Sequence, residues 1–511
     1  MHAGETPTVS RMSDLGIPRA QQRLDEPPDE PEIPFRVLAI AVALMLVLAG
    51  ITGYVLTRDD AAEAGPSYPS TWDARIAPSV KKTERLRGLM FLHPVAVRFL
   101  PAAQFERTMR ADREELSDED LADLEDTTAL LRAVGLLQGD VDLFDTVNDL
   151  QTGGTLAYYS FEDQTITIRG RTLSPSVRST VVHELTHALQ DQHFSIGERM
   201  QELAAAEDDG HPASEILDSL IEGDAERVQT RYRESLTTKQ RAALDADTKK
   251  EGDRAAQRLQ GIPKVLLTMF TSSYTFGQAL VQLADADGGN RAVDDLFRRP
   301  PTHELALLDP FTVLAHDNDA VQVDVPALRA GEKEVSSGEF GVMTWYFVLA
   351  ERMPLADALA AAEGWGGDSS LDYEDADGTV CTRATVVGAS PKDTRRLYAA
   401  LRRWVAAAPG APATVARAGA RIRFQSCDPG RKAHVGKNVS AQAVTLALTR
   451  TYTGIGLMQG GVEADVSRCV AGRLVHAYPL SALNDSGYAA THPGFVPRLR
   501  AMVGACRTAL G

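Results

Sequence analysis

The chain has 511 residues, 44% of them hydrophobic, and its formal net charge at pH 7 is −17. This length allows two to four domains and a sizeable hydrophobic core. Such an acidic chain has no basic footprint for a phosphate backbone, so we expect no nucleic-acid partner.

The N-terminal region differs in composition from the rest of the chain. Residues 1–36 are rich in Pro, Glu and Asp and poor in aromatic residues, which predicts a disordered cytoplasmic tail. Residues 37–57 form an uncharged apolar run between Arg36 and Arg58 that is long enough to cross a bilayer as a helix. We therefore predict a single membrane anchor, followed by a linker over residues 58–80.

The same apolar run allows a second interpretation, and only weak signals indicate how the predicted span is oriented in the membrane. An Ala-Glu-Ala sequence at 62–64 resembles a signal cleavage site, but the apolar run is longer than a signal peptide requires. Basic residues near the span slightly favour a cytoplasmic N-terminus: Arg19, Arg23 and Arg36 precede it, and Arg58 and Arg75 follow it. We therefore predict a single-pass protein of the cell membrane with its main part outside the cytoplasm.

A His-Glu-x-x-His motif carries the chemistry of the chain. Ser174 as N-cap and Pro175 at the first helical position predict a helix from Pro175 onward. Residues four apart share a helix face, so His183 and His187 can offer two imidazoles to one metal ion, and Glu184 can reach a water beside it. The motif occurs by chance in about one chain in a hundred of this length, so a third ligand is needed.

A second predicted helix offers that ligand. Apolar residues at helical spacing predict a helix over Ala213–Arg233, and Asp218, Glu222 and Glu226 form an acidic stripe along it. Taken alone, such a stripe is more often a solvated face. Paired with the histidine motif, it can supply a carboxylate to the same metal ion.

These two segments together resemble the gluzincins, the thermolysin-like superfamily of zinc metallopeptidases. The resemblance rests on the run HELTHALQDQHF at 183–194 and on the EGDAE sequence at 222–226, and it extends over roughly residues 80–370. The two segments look like those of a bacterial, membrane-anchored branch of the superfamily. The resemblance implies an α+β, zincin-like peptidase domain over residues 81–368 with Zn²⁺ as cofactor.

The resemblance also implies a role for each residue of the motif. Glu222 maps onto the third zinc ligand, and Glu226 onto the acid that supports a ligand histidine. Glu184 maps onto the general base that takes a proton from water and passes it to the leaving amine. We thus expect a hydrolase that acts on a peptide or protein substrate. The alternative is an envelope scaffold that keeps the zinc site and binds a partner without catalysis.

Three further residues are candidates with ordinary alternatives. Asp191 lies four positions after His187 and can brace its imidazole, although it can equally be a solvent-facing helix end. Gluzincins place a Tyr or His donor near the zinc to stabilise an oxyanion, which makes Tyr274 and His303 candidates. A packed tyrosine and a surface histidine are the alternatives for these two positions.

Strands and a long apolar segment complete the predicted peptidase domain. Alternating residues predict a hairpin from Thr155–Ser160 and Thr165–Arg169, directly before the motif helix. We predict Leu156–Ser160 as the edge that binds an extended peptide, with an ordinary covered strand as the alternative. Val265–Leu283 carries many hydroxyl and amide side chains, so we expect a core helix and not a second membrane span.

The C-terminal third is predicted to form two further modules. Residues 369–430 read as a small α+β module and residues 431–511 as a helical module. Glycines at 364–368 predict a turn, and the Ala, Pro and Gly content of Ala406–Ala420 predicts a loop, as does the polar stretch at 195–212.

The four cysteines allow three pairings. We predict Cys381–Cys427 and Cys469–Cys506, because these pairs keep each bridge within one module. Four free thiols are the alternative.

Overall fold

The structure is a computed structural model that describes residues 68–205, 212–316, 320–408, 412–433, 436–485 and 487–510. The predicted tail at 1–36 and the predicted anchor at 37–57 lie outside these residues. Within the described ranges, no helix is both long and apolar enough to cross a membrane. The chain is an α+β protein, as its sequence predicted.

A small sheet supports the motif helix. Its strands are β1 (Ala96–Leu100), β2 (Ala157–Ser160) and β3 (Thr165–Arg169), in the order β1-β3-β2. β1 is parallel to β3, and β2 pairs antiparallel with β3 as the predicted hairpin. Apolar side chains of β2 and β3 pack in one cluster with Val181 and Leu185 of the following helix. The sheet therefore covers one face of that helix.

The helices of the first half enclose this helix on its other sides. Their bounds are α1 (Ala77–Arg87), α2 (Ala102–Arg107), α3 (Asp118–Ala133), α4 (Leu143–Thr152), α5 (Pro175–Phe194), α6 (Ile196–Ala205), α7 (Pro212–Glu234), α8 (Thr238–Arg258) and α9 (Lys264–Arg298). α5 is the motif helix and is buried along nearly its whole length. α9 contains the segment predicted as a core helix, and its residues Phe276, Ala279 and Leu280 are buried.

A second sheet forms the other half of the fold. Its strands are β4 (Lys333–Gly338), β5 (Trp365–Glu374), β6 (Val380–Gly388), β7 (Ala413–Ala418) and β8 (Arg421–Cys427), all antiparallel, in the order β4-β5-β6-β8-β7. The remaining helices are α10 (Leu305–Leu308), α11 (Phe311–Leu314), α12 (Val342–Arg352), α13 (Leu355–Ala362), α14 (Pro391–Ala406), α15 (Ser440–Gln459), α16 (Ala464–Ala477), α17 (Leu480–Leu483), α18 (Tyr488–Thr491) and α19 (Phe495–Leu510). One buried cluster runs from α7 and α9 through α12 to α14 and α15. The predicted modules thus share a core.

Three local predictions are wrong. The predicted turn at 364–368 lies largely in strand β5, the predicted loop Ala406–Ala420 contains strand β7, and the polar stretch at 195–212 contains helix α6. In each case pairing or packing with distant residues decides the conformation. β7, for example, pairs with β8 along its whole length.

Two predicted boundaries also differ from the structure. The boundary between residues 368 and 369 falls inside β5. Helix α1 begins at Ala77, within the predicted linker, and the preceding Ile76 is fully buried. The packed part of the chain therefore begins earlier than its composition indicated.

Both predicted disulfides are confirmed. Cys381 and Cys427 face each other across β6 and β8, and Cys469 joins Cys506 between α16 and α19. The two disulfides use all four cysteines, so the described residues contain no free cysteine.

Candidate metal centre

α5 presents the histidine motif to the interior. The Ser174 side chain accepts a hydrogen bond from the backbone N–H of Val177 and caps the helix, as predicted. Because the helix is buried on most of its surface, the motif is enclosed: the exposed fractions are 3% for His183, 5% for Glu184 and 5% for His187. Buried imidazoles and carboxylates need partners.

Glu222 of α7 is that partner, as the sequence predicted. Its Oε2 lies 3.0 Å from Nε2 of His183, and its Oε1 lies 3.4 Å from Nε2 of His187. The ligand atoms of the three residues all lie within 4.8 Å of one another. Two imidazole nitrogens and a carboxylate thus form a buried group that could hold one metal ion.

A close crossing of α7 and α9 brings Glu222 to this position. A Cβ atom added at Gly223 would meet the backbone carbon of Gly277 at 2.4 Å, and one added at Gly277 would meet the backbone oxygen of Ser219 at 1.9 Å. Only glycine allows two backbones to approach so closely. Gly223, the residue after Glu222, therefore fixes the position of α7, the helix that carries Glu222.

A hydrogen-bonded chain orients His187. Gln190 donates through Nε2 to the backbone oxygen of Ile221 at 2.8 Å and to Oδ2 of Asp224 at 3.2 Å, so its Oε1 is free to accept. That oxygen lies 3.1 Å from Nδ1 of His187, which makes Nδ1 the protonated nitrogen. The lone pair of Nε2 then points toward Glu222. Asp224 in turn pairs with the fully buried Arg87.

Asp191 does not brace His187, so that prediction is wrong. Its Oδ1 accepts from the backbone N–H of Gly197 at 2.8 Å, and its Oδ2 accepts from the Tyr159 hydroxyl at 2.9 Å. Asp191 therefore joins the end of α5 to α6 and to strand β2. The residue that orients His187 is instead Gln190, three positions after it. The sequence-based prediction missed Gln190 because it considered only acidic residues for this role.

His183 has different neighbours. Burial lowers its pKa to about 4, and the charge of Glu226 and the side chain of Gln229 oppose this decrease. Glu226 is 8% exposed. Glu226 therefore lies close enough to act on His183 through its charge, whereas Nδ1 of His183 has no hydrogen-bond partner among the described residues. The supporting role of Glu226 stays a prediction.

Burial also dominates the electrostatics of the other groups. It lowers the pKa of His187 to about 4, so both imidazoles are neutral at pH 7, as metal ligands must be. Burial raises the pKa of Glu222 to about 7, against the influence of His187. Burial and the nearby Glu222 raise the pKa of Glu184 well above 4.5, and the backbone N–H of Tyr159 opposes this increase.

Strand β2 passes directly beside Glu184. It is an edge strand of its sheet, and within the described chain no strand pairs with its outer side. The backbone oxygen of Leu156 accepts from the Arg169 N–H of β3, so the backbone groups of Ala157 and Tyr159 point to the unpaired side of β2, where both residues are only 2% exposed. The Tyr159 N–H accordingly faces Glu184. The predicted peptide-binding edge therefore adjoins the candidate metal centre.

The two candidate oxyanion donors have different surroundings. Tyr274 is 3% exposed and lies on α9, one helical turn before the crossing at Gly277. His303 is half-buried, and its ring centroid lies 6.3 Å from that of Trp365. Their role near a zinc ion stays a prediction.

Comparison with protein-family models gave no match, and comparisons with curated proteins and with solved structures gave none either.

Proposed function

We propose that the chain is a membrane-anchored zinc metallopeptidase of the gluzincin type, with a zincin-like catalytic domain outside the cytoplasm. One observation carries the proposal: His183, His187 and Glu222 form a buried ligand group, and Glu184 lies on the same helix beside it. The motif resemblance supports the roles of all four residues, and the distances in the described chain bring three of them together: His183, His187 and Glu222.

The donor set fits zinc. Two neutral imidazoles and one carboxylate are a ligand combination of catalytic zinc sites, which keep a fourth position open, whereas structural sites use four protein ligands. When bound, zinc supplies the Lewis acidity that lowers the pKa of a water molecule toward neutrality. Gln190 and Glu226 would hold the two histidines in orientation.

Glu184 performs the proton transfers. As the water oxygen attacks the peptide carbonyl carbon, the Glu184 carboxylate takes the proton that the water loses. When the C–N bond breaks, the same carboxyl gives that proton to the leaving amine. Burial and the nearby Glu222 raise the pKa of Glu184, and a higher pKa favours the first step, in which the carboxylate takes up the proton from water.

The unpaired side of β2 would position the substrate, which would have to displace what covers Ala157 and Tyr159, both 2% exposed. An extended peptide that adds to this side would exchange hydrogen bonds with the backbone of Ala157 and donate to the backbone oxygen of Tyr159. Because the Tyr159 N–H faces Glu184, such a peptide would pass directly over the general base. Side chains of the peptide would point alternately toward and away from the sheet.

The disulfides support the proposed location. Two disulfide bonds persist in oxidising compartments and are rare in the cytoplasm. Both lie after the apolar run at 37–57, and the distribution of basic residues slightly favours an outside location for that part of the chain.

The test is metal-dependent cleavage by the purified full chain. A broad peptide library should be cleaved, a chelator should abolish cleavage, and added zinc should restore it. Metal analysis should find one zinc per chain, and Glu222→Ala should lose most of it. Zinc binding without cleavage of any peptide would favour a non-catalytic scaffold, and full zinc retention in Glu222→Ala would remove that residue as a ligand.

A further inference from the structure

The connection between α1 and β1, residues 88–95, exposes two large apolar side chains. Met90 is 67% exposed and Leu92 is 66% exposed, the highest values among the large hydrophobic residues of the described chain. Phe91, between them, turns inward and packs against Trp72 with ring centroids 4.7 Å apart. Met90 and Leu92 are thus two neighbouring exposed apolar side chains on either side of the packed Phe91, and adjacent exposed apolar groups can mark a contact surface.

This connection lies where the chain enters the described structure. The ring of His93 stacks on that of Tyr68, the first described residue, with centroids 3.4 Å apart. Ten residues, 58–67, separate Tyr68 from the end of the predicted anchor at residue 57. Fully extended, they span at most about 35 Å. The exposed side chains therefore lie close to the bilayer if the anchor is inserted.

The surrounding charge is opposite to that of the whole chain. Between residues 75 and 98 there are one acidic residue, Glu84, and six basic residues. Three of the six pair with acids: Arg75 with Asp73, Arg98 with Asp163, and the buried Arg87 with Asp224. The basic residues left for a surface are Lys81, Lys82 and Arg85. The chain as a whole carries −17. Lys81 and Arg85 are exposed on α1. Basic side chains beside apolar ones are complementary to a bilayer that contains anionic lipids.

We propose that residues 88–95 and the basic side of α1 form a bilayer-contact surface, with Met90 and Leu92 inserted among the headgroups of an anionic membrane. Tyr68 and Trp72 stand beside them, and these two residue types favour the membrane–water interface. The proposal rests on the membrane anchor of the proposed function and adds a second, peripheral contact to it.

This surface is joined rigidly to the candidate metal centre. The side-chain oxygen of Gln192, in the last turn of α5, accepts from the backbone N–H of Leu92 at 2.8 Å. His193 donates through Nε2 to the backbone oxygen of Met90 at 2.8 Å. Along α5, His187 lies five residues before Gln192, which is about 7.5 Å at 1.5 Å per residue. Contact with the bilayer would thus hold the centre near the membrane surface and favour membrane-proximal polypeptides as substrates.

The test places a spin label at Leu92 in the full chain, reconstituted into vesicles of phosphatidylcholine and phosphatidylglycerol. All four native cysteines are in disulfides, so Leu92→Cys provides a single labelling site. Collision rates are measured with oxygen, which concentrates in lipid, and with a water-soluble nickel chelate. Val321→Cys is the matched control, because Val321 is 62% exposed and lies outside the proposed surface.

The ratio of oxygen to nickel collisions should be severalfold higher at Leu92→Cys than at Val321→Cys, and Met90→Cys should behave like Leu92→Cys. A vesicle-bound chain with equal ratios at residues 92 and 321 would overturn this inference and leave the anchor standing. A chain that is not recovered with the vesicles would overturn the anchor and this inference together. Neither result decides the peptidase assignment, which is tested separately by metal-dependent cleavage.

Discussion

Nε of Arg87 lies 2.5 Å from Oδ2 of Asp224, and both side chains are fully buried. Asp224 also accepts from Gln190, whose oxygen holds Nδ1 of His187. The ion pair therefore connects α1 to the candidate metal centre through three side chains. Arg87 additionally pairs with Asp294 of α9, so one guanidinium links three helices.

Arg87→Met should strongly destabilise the fold. Arg87→Met removes one of the two arginines that pair with the buried Asp224, the other being Arg227, and it also removes the close partner of Asp294. Loss of a buried ion-pair partner costs up to about 3–5 kcal/mol. Denaturant unfolding measures the change. The control is Arg233→Met, whose ion pair with Asp245 is partly exposed and should be worth less than about 1 kcal/mol. Equal losses in the two variants would contradict the importance of the buried pair.

Gln190→Ala should weaken metal binding about 10- to 100-fold, because it removes the acceptor that orients His187. Competition with a metal-binding dye measures the affinity. Asp191→Asn is the control: this residue bonds Tyr159 and Gly197, so its metal affinity should stay close to that of the unchanged protein. A larger effect of Asp191→Asn would restore Asp191 as the bracing residue.

Gly223→Ala should disturb both stability and the metal centre. The added methyl would meet the backbone of Gly277 at 2.4 Å, and a backbone cannot move aside without shifting α9. Overpacking typically costs about 1–3 kcal/mol. Gly472→Ala, on α16, is the control, because nothing lies within 4 Å of its added Cβ. There alanine should stabilise the helix by about 0.5–1 kcal/mol. Two equally harmless variants would exclude a tight α7–α9 crossing.

Glu339 should make stability depend on pH. Burial, followed by the charges of Asp368 and Glu215, raises the pKa of Glu339 from 4.5 to about 7. Between these values the folded state keeps a proton that the unfolded state has lost, so this residue's contribution to stability falls as pH rises. Glu339→Gln removes that titration. Its melting temperature relative to the unchanged protein should therefore rise from pH 5 to pH 8. A difference that is constant with pH would contradict the raised pKa.

The sequence predicted the parts of the centre that depend on local spacing. His183 and His187 share a face because they lie four residues apart on one helix, and Glu222 follows from the resemblance of its own short motif. Gln190 and Asp224 were missed, because their contact depends on how α5 packs against α7. Spacing within a single helix carries no information about that packing.

The glycine-rich stretch at 364–368 shows the same limit in the fold. Its glycines predict a turn, yet Asp368 accepts hydrogen bonds from the indole nitrogens of Trp365 and Trp345, 2.7 and 2.8 Å away. Trp345 lies on α12, and the neighbouring strand β6 pairs along the segment. These tertiary contacts hold an extended strand where local preference favours a bend.

The most direct test of the peptidase assignment is the zinc-dependent cleavage rate of Glu184→Gln. The substitution keeps the size of the side chain and leaves His183, His187 and Glu222 in place, so zinc content and melting temperature should stay close to those of the unchanged protein. Cleavage of the same peptide should fall by about 100- to 10,000-fold, because a positioned acid–base group is lost. A zinc-loaded Glu184→Gln variant that cleaves as fast as the unchanged protein would contradict the mechanism.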